Sequence, residues 1–389
     1  LASLLLLLIV SPPWSLPVAR LEANERLLWS EEGARGAVAV VERDGNRRLK
    51  LDNHYAVGGS AVAVEERRQG HLPLLLHLAA RRVAFLGMGT GITAGAALDH
   101  GRVERIVVIE LVPEVVEAAR LYFAPWNRDL VENPRVEVIA EDARNHMAGT
   151  DERFDVIVGD LFVPWRAGVG ALYTREHFES VKERLEPGGI FAQWLPLWQL
   201  SRREFEIIAA TFLATFEHVT LWRGIFSADA ATVALVAHQD GGPIDLEALA
   251  RRLALLDRSD PFDDSFLSQL TGFMVLYAGD LSGQAERLAR VGLNTDRHPR
   301  IEWLAPRTLH AVLEGRESWL TGSELADLYD AINRDPRLPG DRLLRGGRDP
   351  SLYRRAGADF YRAEVFAANG DLQEARALRA RAYRTLGRE

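Results

Sequence analysis

Residues 82–92 read Arg-Val-Ala-Phe-Leu-Gly-Met-Gly-Thr-Gly-Ile. Val83 to Leu86 is an apolar run of strand length, and Gly87, Gly89 and Gly91 follow it at once. Glycines at that spacing permit the positive φ angles of a tight turn and let a ligand approach the main chain, as at the end of the first strand of an open α/β sheet. Ile92 stands where the fingerprint G-x-G-x-x-G needs its last glycine, which turns the loop away from NAD and FAD.

On either side of this loop the pattern repeats. Apolar runs at 105–109, 136–139, 155–158 and 190–193 read as strands. They alternate with amphipathic stretches such as 113–120, where Pro113 marks a helix start, and 176–185, which stops at Glu186-Pro187-Gly188-Gly189. This is the signature of a parallel sheet covered by helices on both faces. A helix with Phe205, Ile208 and Phe212 on one face then leads to runs at 219–222 and 232–237, joined by a loop short enough for a hairpin. Seven strands ending in a hairpin predict an α/β fold, the Rossmann-like seven-stranded methyltransferase-type sheet.

The flanks read differently. Runs at 37–41 and 48–51 surround Asp44-Gly45-Asn46, strong hairpin-turn chemistry, and predict a small N-terminal β-element over 29–70. The catalytic domain is expected over 71–240. Beyond it, 241–389 turns helical, with amphipathic stretches at 246–256 and 359–384. The second breaks at Asn369-Gly370-Asp371 and predicts a tetratricopeptide-like hairpin packed against the main domain. Residues 1–20 begin LASLLLLLIV and are closed by Ser11, Pro12 and Pro13. That run falls short of the ~20 apolar residues of a bilayer span. It is expected to end a membrane or apolar segment whose remainder lies upstream of Leu1, placing the catalytic domain on the cytoplasmic face of the membrane. A trimmed signal peptide or a buried helix are the competing readings, and no basic n-region accompanies the run.

Composition excludes several classes. Net charge is −8, with 47 Lys and Arg dispersed among 55 Asp and Glu, so no basic stripe exists to track phosphates and nucleic acid is not an expected partner. Cysteine is absent, which removes disulfides, thiolate metal sites and a Cys nucleophile. Histidines lack metal-ligand spacing, so no metal is expected. Ser201 and His177 sit in no nucleophile elbow.

Chemistry concentrates at the strand ends. Glu110 closes the second strand about 20 residues after the glycines, where a carboxylate can accept from both hydroxyls of a ribose. Glu141-Asp142 closes the third, where an acceptor and the next backbone N–H can read an adenine edge. Asp160 closes the fourth, followed by Leu161, Phe162, Val163, Pro164 and Trp165. A carboxylate there can stabilise a sulfonium and deprotonate an incoming nucleophile, and the apolar stretch can exclude water. Together these features predict a site for an S-adenosylmethionine-type nucleoside.

HLPLLLH at 71–77, GMGTG at 87–91, VVIELVPEVVEAAR at 107–120, EDAR at 141–144, FDVIVGD at 154–160 and LYTREHF at 172–178 resemble, in order and spacing, the spermidine synthase (polyamine aminopropyltransferase) family. LNTDRHPRIEWLAPR at 293–307 further resembles a segment of members fused to a membrane-embedded N-terminal half. The resemblance implies that Gly87, Gly89, Thr90, Gly91, Glu110, Leu111, Asp142, Ala143, Asp160 and Leu161 hold S-adenosylmethionine or its decarboxylated form. Asp160 is the implied catalytic residue, and His71, Tyr173 and Gln193 the implied contacts to a small-molecule amine. Homodimerisation is left open.

Three positions depart from the family pattern. Thr90 replaces the Asp that pairs with the aminopropyl ammonium. The run D-S-S-D-P becomes Asp160-Leu-Phe-Val-Pro164, so Val163 replaces a second carboxylate. The Tyr before HLPL is missing, and Glu65 and Glu66 stand nearby, either of which could rebuild a cation site. Aminopropyl transfer is the expected activity. The alternatives are an enzyme using intact S-adenosylmethionine, as a methyltransferase or as an intramolecular lyase or cyclase releasing methylthioadenosine, and a non-catalytic nucleoside-binding scaffold. Thr90 favours the intact donor.

Overall fold

A computed structural model describes residues 19–52, 55–256, 264–334, 341 and 343–387. The apolar run at 1–10 lies outside them. Among the described residues, no helix is long and apolar enough to cross a membrane.

The chain opens with four antiparallel strands, β1 (Arg26–Gly33), β2 (Gly36–Arg43), β3 (Asn46–Leu51) and β4 (Tyr55–Gly59), paired in sequence order. The hairpin expected around Asp44-Gly45 is the β2–β3 turn, with both residues at positive φ. One face of this small sheet buries Val38, Val40, Leu49 and Leu51 against Val112, Val115 and Ala118 of the main domain. The β-element is therefore docked, not free.

The helix Ala63–Leu76 then leads into the main sheet. Its strands are β5 (Arg82–Leu86), β6 (Arg105–Glu110), β7 (Val136–Ala140), β8 (Phe154–Gly159), β9 (Leu185–Pro196), β10 (Val219–Arg223) and β11 (Thr232–His238). The first five are mutually parallel in the order β9-β8-β5-β6-β7, and β11 and β10 add to the β9 edge antiparallel. All seven expected strands are present. An eighth, Tyr277–Asp280, pairs antiparallel with β10 at the sheet's edge. It comes from the segment that reads as helical extension, so that segment completes the sheet as well as covering it.

Two apolar layers flank the sheet. Phe178, Phe191, Phe212 and Phe216 stack on one face, with Phe191 and Phe212 5.5 Å apart, while Leu72, Leu75, Phe85, Val108 and Trp194 pack on the other. The C-terminal helices Pro350–Ala368 and Leu372–Thr385 turn at Gly370 as a hairpin. Tyr361 meets Tyr329 edge-on at 5.4 Å, and a Cβ on Gly357 would lie 2.4 Å from both the Val275 carbonyl and the Arg223 guanidinium. Only glycine lets that helix approach so closely. Arg223 itself is buried and donates through Nη1 to the Val275 and Tyr277 carbonyls, with its guanidinium over the Tyr329 ring at 4.3 Å.

Candidate active site

Strand register sets the site. Leu86 of β5 pairs with Ile109 of β6 and Gly159 of β8, and Glu110 pairs with Ala140 of β7. Gly87, Glu110, Asp142 and Asp160 thus open side by side on the carboxyl edge, at the point where strand order reverses about β5. They line a cleft of about 840 Å³ with Met88, Gly89, Leu111, Ala143, Leu161 and Phe162.

The glycine loop is specified by its backbone. Gly87, Gly89 and Gly91 have φ of 92°, 52° and 77°, all in the region that favours glycine. A Cβ on Gly89 would stand 2.7 Å from the Val57 carbonyl, because β4 passes over the loop. Glu110 is buried beside it. Its Oε2 accepts from the Met88 N–H (3.0 Å) and the Gly89 N–H (3.4 Å), and its Oε1 from the Val112 N–H (2.9 Å). Burial pushes its carboxyl above the usual range while these N–H groups pull the other way. The result is a fixed acceptor at the cleft floor. Asp142 caps the helix Ala143–Gly149, accepting from the Arg144 and Asn145 N–H groups through Oδ1 and leaving Oδ2 for a ligand.

Asp160 faces the same space. Its N–H donates to the Leu86 carbonyl (3.1 Å), and its Oδ1 accepts from the Leu161 N–H (2.8 Å). Burial first, then the charge of Glu110, raises its carboxyl to about 6, against the lowering effect of the Leu161 N–H. Such a carboxylate is ionised at neutral pH yet basic enough to take a proton. The wall beyond it, Leu161, Phe162, Val163, Arg166, Val169 and Leu172, is braced from afar. Glu302 accepts from the Gly168 N–H (2.8 Å) and Gly170 N–H (3.1 Å), Asn294 donates to the Gly170 carbonyl, and Arg166 donates to Asp52 (3.1 Å).

Of the sequence-predicted residues, Gly87, Gly89, Glu110, Leu111, Asp142, Ala143, Asp160 and Leu161 come together in the cleft. Gly91 starts the short helix after the loop. Thr90 is buried and its hydroxyl donates to Glu66 Oε2 (2.6 Å), whose Oε1 accepts from the Gly59 N–H (3.0 Å).

The three expected substrate contacts, His71, Tyr173 and Gln193, are not among the residues that line this cleft. His71 is buried against His100, Nδ1 to Nε2 3.0 Å, and stands 3.6 Å from Asp99, which also pairs with Arg67 and Arg128. The reason is helical geometry: five residues turn the chain through about 140° beyond a full revolution, so Glu66 faces the glycine loop and His71 faces away. Tyr173 is buried and donates to the Phe162 carbonyl (3.0 Å), its ring edge-on to Phe162. Gln193 donates to the Asp160 carbonyl (3.2 Å). Tyr173 closes the short 3-10 helix Val169–Tyr173 and Gln193 lies within β9, and each hydrogen-bonds the backbone of the wall. Among the described residues, no group of three or more acidic or His side chains is arranged to hold a metal.

The family model of the spermine/spermidine synthase domain matches residues 63–216. A polyamine aminopropyltransferase of Aeropyrum pernix is 33% identical over 212 residues, 53% of this chain and 67% of the relative. The chain belongs to the spermidine synthase family. Another relative in this family, polyamine aminopropyltransferase 2 of Pseudomonas aeruginosa, is 32% identical over 46% of this chain and 52% of its own length. The chain thus spans about half to two thirds of the curated relatives it matches. The solved spermidine synthase in complex with the transition state analogue AdoDATO superposes with a TM-score of 0.54 at 18% identity, over 62% of this chain and 82% of that one, which establishes the shared fold. The family match begins at the helix carrying Glu66 and stops before β10. The N-terminal sheet and the Glu302 brace lie outside it.

Proposed function

We propose that the chain is an aminopropyltransferase: the amine nitrogen of a small acceptor attacks the methylene carbon bonded to the sulfonium of decarboxylated S-adenosylmethionine. The new N–C bond forms as the C–S bond breaks, methylthioadenosine leaves, and the amine's proton passes to Asp160. Glu110 would receive the ribose hydroxyls, Asp142 with the Ala143 N–H would meet the adenine edge, and the glycine loop would form the floor. The observation that carries this reading is the row of Asp160, Gly87, Glu110 and Asp142 at the ends of the neighbouring strands β8, β5, β6 and β7 in one cleft. Family membership and the solved relative's transition state analogue support it. Positioning of the two substrates would supply much of the rate.

The test is Asp160→Asn in the full chain. Turnover of decarboxylated S-adenosylmethionine should fall by about 10²–10⁴-fold, the range for loss of a general base, while methylthioadenosine still binds. Unchanged turnover would remove Asp160 from the mechanism, and binding without turnover in the unaltered chain would leave a scaffold.

The composition of residues 1–10 supports a second part of the proposal, that an apolar N-terminal segment holds the domain at the cytoplasmic face of a membrane. Release of the full chain into the soluble fraction without detergent would contradict it.

A further inference from the structure

We infer that the acceptor is a primary amine with an uncharged, apolar body, and that Val163 and Arg166 exclude a second ammonium from the wall beside Asp160. This rests on the proposed function and names the substrate class of its acceptor.

The surroundings of Asp160 set that chemistry. A Cβ on Gly87 would stand 3.4 Å from Asp160 Cβ and 3.5 Å from Phe162 Cε1, so the Phe162 ring lies beside the proposed base at the glycine loop. Tyr173 meets that ring edge-on, with centroids 6.1 Å apart, and its hydroxyl donates to the Phe162 carbonyl, which holds the residue in place. Leu161 and Val163, before and after Phe162 in the chain, line the cleft as well. The wall then turns. The Arg166 N–H donates to the Val163 carbonyl (3.1 Å), and among the described residues that line the cleft Arg166 is the cation.

The carboxylates in that lining are Glu110, Asp142 and Asp160. Glu110 and Asp142 close β6 and β7, the second and third strands from β8, so they stand roughly 10 and roughly 14 Å across the sheet at about 4.8 Å per strand, where the donor would occupy them. Asp52, beside Arg166, accepts from it through Oδ2 (3.1 Å) and from the Ala37 N–H through Oδ1 (3.0 Å). A diamine with one nitrogen at Asp160 would carry its second ammonium past Phe162 and Val163 towards a guanidinium. Stripped of water among apolar side chains, with a like charge ahead and no carboxylate to meet it, that ammonium is costly to place. A hydrocarbon body gains from burial on the same surface. Putrescine is then a weak acceptor, turned over at high concentration. The bond changes are the same for either amine: the nitrogen takes the methylene carbon, the C–S electron pair leaves with methylthioadenosine, and the proton passes to Asp160.

Steady-state kinetics on the full chain with saturating decarboxylated S-adenosylmethionine test this, with methylthioadenosine release as the readout and putrescine, n-butylamine and n-hexylamine as acceptors. n-Butylamine matches putrescine in chain length without the second charge. Its kcat/KM should exceed that of putrescine by about tenfold or more, the scale on which a buried polar group without a partner weakens binding. Each further methylene towards n-hexylamine should add up to about fourfold. Val163→Asp supplies a carboxylate beyond Phe162 and should reverse the order: putrescine gains about tenfold and n-hexylamine loses on the same order, with methylthioadenosine affinity by calorimetry held within about twofold. The methylthioadenosine arm also reports folding of the variant, and the comparison of amines in the unaltered chain stands without it. Putrescine turned over as well as n-butylamine, rates indifferent to chain length, or a Val163→Asp chain that binds methylthioadenosine yet keeps the original order would overturn the inference while leaving aminopropyl transfer standing. Absence of methylthioadenosine release with all three amines would sink the proposed function itself, and this inference with it.

Discussion

The two walls of the cleft are assembled in different ways. The wall proposed for the donor takes Gly87, Glu110 and Asp142 from three consecutive strand ends, each fixed by a local device: positive φ, backbone N–H donors, a helix cap. The facing wall, residues 160–172, is anchored locally at Asp160 and by the turns at 163–166 and 166–169, and it is also held by Tyr173, by Gln193 of β9, by Asp52 of the N-terminal element and by Asn294 and Glu302, which follow the main sheet in the chain. The first wall is built by the sheet alone. The second also draws on residues from both flanks of that sheet, from Asp52 to Glu302.

The largest expected effect falls on the second wall and is a pH effect. With its carboxyl raised to about 6, Asp160 becomes protonated as pH drops through that value and can no longer accept the amine's proton. From pH 6 to pH 4, kcat/KM should decline about fiftyfold, approaching one decade per unit well below the pKa of a single essential base. The residual activity of Asp160→Asn should lack this limb. A limb that survives the substitution would assign it to another group.

Next in size is a change to the first wall. Gly89→Ala places a side chain at φ 52° and 2.7 Å from the Val57 carbonyl. Strain of about 1–3 kcal/mol should weaken methylthioadenosine binding on the order of tenfold, with the amine's KM at saturating donor little altered. Equal damage to both substrates would mean that the walls are not independent.

A smaller effect is expected from the remote brace. Glu302→Ala frees the Gly168 and Gly170 N–H groups and should cost about 1–2 kcal/mol in denaturant unfolding. The amine's KM should rise while methylthioadenosine affinity holds. Weakened nucleoside binding with an unaltered amine KM would contradict the division between walls.

A fourth effect is thermal. Folding favours the neutral form of Glu66, whose carboxyl is raised from 4.5 to about 8, so the stability it contributes is complete below pH 4.5 and lost as pH rises through 8. Glu66→Gln, neutral throughout, should melt higher than the unaltered chain at pH 9 and level with it at pH 4. A constant difference across that range would exclude titration of Glu66 as its source.

This division also explains what could be read from residues alone. The strands at 83–86, 105–109 and 155–158 are buried on both faces, so they read as apolar runs whose ends locate Gly87, Glu110 and Asp160 without any long-range information. The strand Tyr277–Asp280 carries no such run, since it gains its place only by pairing with β10. His71 was legible as part of HLPLLLH, but its orientation depends on where the helix Ala63–Leu76 sets its faces, and that is fixed by packing. The acidic pair Glu65-Glu66 was visible as a possible source of charge; the hydrogen bond to Thr90 that selects Glu66 requires the loop and the helix to be brought together. Nothing local to Glu302 marks it as a partner of Gly168 and Gly170, which are more than 130 residues away.

The central claim is that the cleft joins an alkyl chain from a sulfonium nucleoside to an amine, and product analysis tests it most directly. The full chain is incubated with decarboxylated S-adenosylmethionine and putrescine, and in parallel with intact S-adenosylmethionine, and the products are identified by mass spectrometry. The account predicts methylthioadenosine together with an amine heavier by one aminopropyl group, from the decarboxylated donor alone. S-adenosylhomocysteine, or methylthioadenosine formed from the intact donor without any modified amine, would contradict it.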